Sequence, residues 1–343
     1  MPSRSDEESS RRSFLKTALR SGMILCGAGM TLSHPFWLRT SIKETRAGSS
    51  ASSVLERLIQ EAPLARFWIS ANSPGVNCLA CHQADEELEG DEFDHEEGIV
   101  KCLLCAQKCL IREGERGLCH TRINIHGKLR TLVYGRPISV HVDPIEKKPL
   151  YHFLPGSAAF SFATAGCPLK CKFCQNWEIS QARPEDFPGR FIPAETVVQA
   201  TERQRAPVIA FTYNEPVVFT EYLLDVARIA RKRNISSVLI SCGFMNKEPL
   251  AEMCSLLDAI KIDLKGFSQD FYRRVCGADL APVLRSIKQV SRSKVHLEIV
   301  NLVVPTLNDS ERMLIELAKW VVGELGPDVP VHFTRFHPDY QML

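Results

Sequence analysis

The chain has 343 residues, of which 45% are hydrophobic and 24% charged, and its formal net charge is +2. These values are typical of a globular protein. A net charge this close to zero gives no electrostatic reason to expect that the protein binds nucleic acid. The unusual feature is the content of 13 cysteines, because nine of them fall in three tight groups before residue 175. Such groups are more typical of metal or haem sites than of a disulfide framework.

The N-terminal segment has features of an export signal. Arg11 and Arg12 precede Phe14-Leu15, and a weakly apolar run follows from Ser21 to Leu32. The pattern resembles a twin-arginine signal, and the run is shorter than the ~20 residues that cross a bilayer. We expect residues 1–50 to be signal and linker, with a periplasmic or membrane-associated product that touches the membrane only through an uncleaved signal. A cytoplasmic protein with a basic N-terminus is the alternative.

Residues 51–150 are predicted to form a Cys-rich N-terminal region that opens with a helix over residues 51–69. Its first cysteine motif is Cys78-Leu79-Ala80-Cys81-His82. C-x-x-C-H is typical of c-type haem attachment, in which two thioethers hold the porphyrin and the histidine binds iron. Covalent haem is attached outside the cytoplasmic membrane, so this motif and the export signal support each other. A zinc site or a disulfide between Cys78 and Cys81 is the alternative.

A second group contains Cys102, Cys105, Cys109 and Cys119, four cysteines within 18 residues. Four thiolates at this spacing can surround one metal centre. Zinc and a second iron–sulfur cluster both accept ligation by thiolates alone. The sequence predicts a metal site here and leaves its identity open.

From residue 158 onward, strand-like apolar runs alternate with helical patterns. The predicted strands are Ala159–Ala163, Val208–Phe211, Val238–Ile240, Ala259–Asp263, Val295–Val300 and Val331–Phe333. Alternation of this kind predicts parallel strands joined by crossover helices. The last predicted helix opens at Asn308, with Glu311 three residues later as in a capping box, and runs to Leu325. Six strands favour an α/β fold with a partial (β/α)6 barrel over residues 151–343.

The third cysteine group directly follows the first of these strands. Cys167, Cys171 and Cys174 have the spacing C-x3-C-x2-C, and Phe173 precedes the last cysteine. A [4Fe–4S] cluster with only three cysteine ligands leaves one iron free to bind S-adenosylmethionine (SAM). The motif resembles the signature of the radical SAM superfamily. A zinc knuckle, or a disulfide with a spare thiol, is the alternative. The three cysteines outside the groups, Cys242, Cys254 and Cys276, are expected to be buried core thiols.

Polar residues that follow the other strands are the remaining site candidates, because chemistry in such folds is found at the carboxyl ends of the strands. They are Thr212–Pro216, Ser241, Gly243, Asp263, Lys265, Asn301, Asn308 and Arg335–Pro338. We expect them to line one rim of the barrel.

Four stretches carry a closer resemblance. They are Asp143–Phe153, Cys174–Ser180, Thr212–Pro216 and Asp263–Lys265. Together they resemble the radical SAM proteins of the AmmeMemoRadiSam system, which are related to pyruvate formate-lyase-activating enzymes. The resemblance covers about residues 100–343. That family usually continues some tens of residues beyond the F-H-P-D-Y stretch, so we expect the barrel to lack its last helix at Leu343.

The resemblance implies roles for individual residues. Cys167, Cys171 and Cys174 would hold the cluster, and Asn214 and Glu215 would meet the SAM amino group. Asp263 and Lys265 correspond to the D-L-K of the activating enzymes, near SAM. His337 corresponds to a late histidine of that family. Phe173 and Ser241 complete the predicted cofactor-binding set.

The function implied is that of a radical SAM oxidoreductase. It would take an electron from a donor, cleave SAM and use the 5′-deoxyadenosyl radical to abstract hydrogen from an unknown substrate. That substrate could be a glycine on a partner protein, as for activating enzymes, or a small molecule. An exported electron-transfer protein with iron–sulfur clusters and haem but no SAM chemistry is the main alternative. A zinc-stabilised binding module is a third interpretation.

Overall fold

The structure is a computed structural model that describes residues 51–70 and 98–343, all of which lie within one compact unit. The predicted signal at residues 1–50 and the Cys78, Cys81 and His82 motif lie outside the described residues. Within the described part of the chain, no helix combines the length and the apolar character needed to cross a membrane.

The strands and helices have the following bounds. The strands are β1 (Trp68–Ser70), β2 (Val100–Cys102), β3 (Leu110–Ile111), β4 (Arg122–Ile125), β5 (Lys128–Thr131), β6 (Ser139–Pro144), β7 (Ala158–Ala163), β8 (Val208–Phe211), β9 (Ser236–Ser241), β10 (Ala259–Asp263), β11 (His296–Val303) and β12 (Val331–Arg335). The α-helices are α1 (Ala51–Glu61), α2 (Trp177–Ser180), α3 (Ala194–Arg203), α4 (Thr220–Lys232), α5 (Lys247–Leu256), α6 (Gln269–Phe271, continued by a π-helical turn to Cys276), α7 (Leu280–Ser291) and α8 (Glu311–Leu325).

The central sheet has seven strands in the order β12-β11-β10-β9-β8-β7-β6. Strands β7 to β12 are parallel and follow one another in chain order, whereas β6 pairs antiparallel with β7. The predicted α/β fold is therefore confirmed, with six parallel strands at the predicted places. The antiparallel edge strand β6 was not predicted.

The composition of the strands explains their position in the fold. All four residues of β8 are buried, as are four of the five in β10. Parallel strands covered on both faces require such continuous apolar runs. Helix α4 contributes its own apolar stripe, which includes Tyr222, Leu223 and Val226, and these side chains are fully buried. Burial of these two sets of side chains forms the core between the sheet and its helices.

Two predicted helix boundaries are wrong. The first helix ends at Glu61 rather than at residue 69. Helix α8 begins at Glu311 with Ser310 as its N-cap, whose hydroxyl accepts a hydrogen bond from the Met313 amide. The expected cap, Asn308, is buried and bonds three backbone groups of the loops after β10 and β11 instead. Tertiary contacts therefore outweigh its capping preference.

The Cys-rich region packs on the core through a buried ion pair. Arg122 of β4 is paired with Glu221 of α4, and both side chains are almost fully buried. The same carboxylate oxygen of Glu221 accepts the Arg66 amide at 2.7 Å, and the Arg122 guanidinium donates to the Arg66 carbonyl at 2.7 Å. One ion pair thus joins the loop before β1, strand β4 and helix α4.

We predict that Glu221→Gln lowers the free energy of unfolding by about 3–5 kcal/mol, because it leaves the Arg122 guanidinium buried without a counter-charge. The matched control is Glu195→Gln, whose partner Arg233 is half exposed, and its cost should be about 0–1 kcal/mol. Urea unfolding of both variants measures the difference. Equal midpoints for the two variants would show that the buried pair does not hold the Cys-rich region on the core.

Candidate active site

A cavity of about 380 Å³ opens at the carboxyl ends of the parallel strands. Its wall includes eight of the predicted site residues: Cys167, Cys171, Phe173, Cys174, Asn214, Glu215, Asp263 and Lys265. These residues follow β7, β8 and β10, as the rule for parallel α/β folds predicts. The structure therefore brings together residues that are about 100 positions apart in the sequence.

The loop that carries the three cysteines is clamped on two sides. The Lys170 and Lys172 amides donate to the Cys276 and Val275 carbonyls at 2.8 and 3.0 Å. On the other side Gly166 has φ of +92°, and a Cβ there would collide with the Cys119 carbonyl. Only glycine adopts this conformation without strain and also leaves room for the neighbouring backbone. Local backbone contacts thus set the direction in which the three thiols point.

The three thiols differ in electrostatic environment. Burial, reinforced by the Glu215 carboxylate, raises the pKa of Cys167 well above its ordinary value, and burial also raises the pKa of Cys174. A hydrogen bond from the Cys276 thiol lowers the pKa of Cys171, and the Lys265 ammonium acts in the same direction. Cys171 is therefore the thiol most readily ionised. Three free sulfur donors on one cavity wall fit an iron–sulfur cluster, since its irons bind thiolates.

Asp263 lies between two lysines at the end of β10. Burial opposes its ionisation, but ion pairs with Lys261 and Lys265 outweigh that and lower the pKa of Asp263 to about 2. The carboxylate is accordingly charged at neutral pH, and the Lys265 ammonium is 3.1 Å from one of its oxygens. The Leu264 and Lys265 carbonyls accept hydrogen bonds from the amides of Asn301 and Asn308. These two asparagines therefore position the D-L-K segment from behind.

Glu215 is held by protein donors on the cavity wall. Its carboxylate accepts hydrogen bonds from the Ser241 hydroxyl and the Cys242 amide, both at 2.7 Å. Ser241 itself does not line the cavity, so it positions Glu215 from behind. Asn214 donates to the Gly166 carbonyl at 2.8 Å, while its side-chain oxygen is buried without a hydrogen-bond partner. The wall therefore holds one fixed carboxylate and one unsatisfied acceptor, which fits a ligand that carries an amino group.

His337 is placed differently from the other predicted residues. It is exposed, is absent from the cavity wall, and its ring contacts the Pro338 carbonyl at 2.9 Å. Its neighbours Thr334 and Arg335, at the end of β12, line the cavity instead.

Sequence reasoning missed several residues of the site. Cys242 lines the cavity, and the Cys276 thiol forms a hydrogen bond with Cys171. Both residues were expected to be ordinary core thiols. Both cysteines lie far along the chain from the three-cysteine motif, so no sequence pattern indicated this contact. Lys148 also lines the cavity, and its ammonium donates to Asp143 and to the Tyr213 hydroxyl, each at 3.0 Å. Lys148 lies within the Asp143–Phe153 stretch that carries part of the family resemblance. Its position in that stretch was the indication in the sequence that it could belong to the site.

The four cysteines of the N-terminal group lie close to one another. Burial, followed by the charges of the other three thiols, raises the pKa of Cys105 well above its ordinary value. Burial likewise raises the pKa of Cys109 to about 11. The group sits against the main site, because Gln107 donates to the Pro168 carbonyl at 2.9 Å. Asn246, after β9, donates to the Leu103 and Cys105 carbonyls.

The chain is similar to known proteins over much of its length. Residues 162–318 match the family model of the Radical SAM superfamily. An uncharacterised protein of Methanocaldococcus jannaschii is 43% identical over 71% of this chain and 72% of its own length. The pyruvate formate-lyase-activating enzyme of Clostridium pasteurianum is 23% identical over 45% of this chain and 65% of that enzyme.

Among solved structures, Streptococcus suis SuiB bound to S-adenosylmethionine has a TM-score of 0.42 and 12% identity, over 52% of this chain and 40% of that chain. A similarity this low adds nothing to the assignment. The comparisons do not address the narrower resemblance to the AmmeMemoRadiSam system, and they give no support to an electron carrier without SAM chemistry. The identity and coverage of the archaeal relative, together with the family match, establish that the chain belongs to the radical SAM superfamily and is related to pyruvate formate-lyase-activating enzymes.

Proposed function

We propose that this chain is an enzyme that holds a [4Fe–4S] cluster on Cys167, Cys171 and Cys174 and cleaves SAM reductively. The observation that carries the proposal is the convergence of three free thiols with Glu215, Asp263 and Lys265 on one cavity. An electron carrier has no need for such a chamber beside its cluster. When bound and reduced by an external electron donor, the cluster would supply the one electron that cleaves SAM to methionine and a 5′-deoxyadenosyl radical, which would abstract hydrogen from the substrate.

Several side chains of the site have a role in this proposal. The three cysteines would ligate three of the irons, and the fourth iron would have no ligand from this motif. Lys265 favours the ionised form of Cys171, and the Cys276 thiol does so through a hydrogen bond. Asn214 and Glu215 would accept hydrogen bonds from the SAM amino group, which would satisfy the unpaired Asn214 oxygen. Charge-assisted hydrogen bonds of this kind are about twice as strong as neutral ones.

The named relatives indicate the class of the hydrogen donor. Two relatives are named as enzymes that activate pyruvate formate-lyase and isethionate sulfite-lyase, that is, other proteins. We infer by analogy a glycine on a partner protein, with a small molecule as the alternative. The cavity of about 380 Å³ is at the lower end of ligand-site volumes. A protein loop that enters it would therefore present only a short segment.

We predict that the anaerobically reconstituted protein, given dithionite and SAM, releases 5′-deoxyadenosine, and that Cys171→Ala reduces this to the protein-free background. The matched control is Cys254→Ala on α5, which removes a thiol that does not line the cavity and should retain full turnover. Chromatography of the nucleoside products measures both. The absence of 5′-deoxyadenosine from the wild type, together with no SAM-dependent change in the EPR signal of the reduced cluster, would contradict the proposal.

We also propose that Cys102, Cys105, Cys109 and Cys119 hold an auxiliary iron–sulfur cluster. Among the described residues, no three cysteine sulfurs lie mutually within 4.8 Å. A tetrahedral zinc ion with Zn–S bonds of about 2.3 Å holds its sulfurs only about 3.8 Å apart. The thiolates of a cubane bind separate irons at its corners and stand farther apart, so the wider arrangement favours the cluster.

The test is a metal count on the Cys167→Ala, Cys171→Ala, Cys174→Ala triple variant after anaerobic reconstitution. We predict that it keeps iron and sulfide in a ratio near one, with little zinc, because its auxiliary ligands are intact. Adding Cys105→Ala to this variant should remove the remaining iron, whereas adding Cys254→Ala should not. Zinc in place of iron would identify a zinc site, and the absence of both metals would disprove the site.

We propose, on the sequence motifs alone, that the chain is exported by a twin-arginine route and that Cys78, Cys81 and His82 bind a c-type haem. We predict that expression in a host with c-type maturation machinery gives a haem-stained band after denaturing electrophoresis. The stain should vanish in Cys81→Ser and survive in Cys254→Ala, because Cys81 would form one of the two thioethers and Cys254 would form none. An exported but unstained protein would disprove the haem and leave Cys78 and Cys81 for a disulfide or another metal.

A further inference from the structure

A second polar cluster lies at the opposite end of the strands from the candidate active site. Glu298 of β11 and His332 of β12 are each two residues before a side chain that lines the active-site cavity, Val300 and Thr334. Since side chains of a strand repeat every two residues on the same face, both point to the face of the sheet that lines the cavity. His152, in the connector between β6 and β7, approaches them from the other edge. None of these three residues lines the active-site cavity.

The three side chains converge on one point. His152 Nδ1 is 3.3 Å and His332 Nε2 is 2.6 Å from the same oxygen of Glu298. The three candidate donor atoms all lie within 4.8 Å of one another. A third imidazole, that of His296, is 3.0 Å from the other Glu298 oxygen. Glu298 is fully buried, His332 is mostly buried and His152 is more than half exposed, so the group has one open side.

We propose that His152, Glu298 and His332 form a binding site for a divalent transition-metal ion, of the class of zinc, cobalt(II) or ferrous iron. Two imidazole nitrogens and one carboxylate oxygen are a donor set that these ions prefer, whereas calcium and magnesium prefer oxygen alone. In a tetrahedral site, bonds of about 2.0–2.2 Å to such an ion put neighbouring donor atoms about 3.3–3.6 Å apart. The distance of 3.3 Å between His152 and Glu298 already has this value. The contact of 2.6 Å between His332 and Glu298 would need to lengthen by about 0.7 Å.

A metal also accounts for the direction of the two imidazoles. The rings of His152 and His332 are stacked, with an interplanar angle of 19° and centroids 5.6 Å apart, and both present a nitrogen to one carboxylate oxygen. That oxygen also accepts the Tyr151 amide at 3.0 Å. One shared dication would accept a lone pair from each ring at the same place.

The position of the site indicates a structural role. Strand β12 is one edge of the sheet, and β6 is the other. The connector over residues 145–157 reaches from the β6 side, and Glu298 accepts its Tyr151 and His152 amides. A metal bound by His152, Glu298 and His332 would therefore tie this connector to β11 and β12. It would close the end of the open sheet that is opposite the active site.

The test is cobalt binding by the full chain after anaerobic iron–sulfur reconstitution, so that iron already occupies the cysteines, followed by removal of iron outside the clusters with a chelator, so that the proposed site is empty. We expect His152→Ala and His332→Ala each to bind one equivalent of Co²⁺ less than the wild type. The control variant is His126→Ala, an exposed histidine on the β4–β5 turn, which should bind as much as the wild type. The absorption of the lost cobalt should consist of visible d–d bands without a thiolate charge-transfer band, since no cysteine takes part.

Equal cobalt in all four proteins would overturn the proposal, as would a thiolate charge-transfer band in the lost fraction. His152→Ala keeps the test valid if His332→Ala does not fold, because the His152 side chain is 57% exposed. The inference does not rest on the proposed SAM chemistry, since the cobalt difference between variants is independent of turnover.

Discussion

The candidate active site depends on how the loop after β7 is held. Its two backbone hydrogen bonds to residues 275 and 276, and the close approach of Gly166 to the Cys119 carbonyl, direct three cysteines to one wall. Neither clamp involves a side chain of the motif itself. The cysteine side chains are therefore left free as ligands. Contacts with backbone from two distant parts of the chain offset the conformational entropy that the loop loses when it is ordered.

The Cys-rich region is built into this arrangement. Cys119 supplies one clamp, Gln107 binds the Pro168 carbonyl, and Asn246 holds the backbone around Cys105. The buried pair of Arg122 and Glu221 fixes the same region to α4. Ordering of the N-terminal cysteines, whether by metal or by packing, is thus coupled physically to the position of the main cysteine loop.

The two ends of the parallel strands carry different chemistry. The carboxyl ends present thiols, a charged Asp263 between two lysines, and the fixed Glu215. The amino ends of β11 and β12 present imidazoles around the buried Glu298. A polar cluster there links the connector after β6 to β11, and through His332 to β12, while the candidate ligand cavity lies at the carboxyl ends.

Local pattern was enough to place the six parallel strands and to determine the α/β class, because the period of apolar residues follows from short-range geometry. The position of polar residues after those strands, together with the family resemblance, identified eight cavity residues. The sequence also determined that the three cysteines lie together, since their spacing places them in one loop. Only the tertiary structure decided that Cys276 forms a hydrogen bond with Cys171, and that Asn308 fixes a loop rather than caps a helix. The same is true of the contact between the His152 ring and the Glu298 carboxylate. These contacts join residues from 43 to 146 positions apart along the chain or from separate elements. No local preference records such a pairing, because it is set by how the strands and connectors pack.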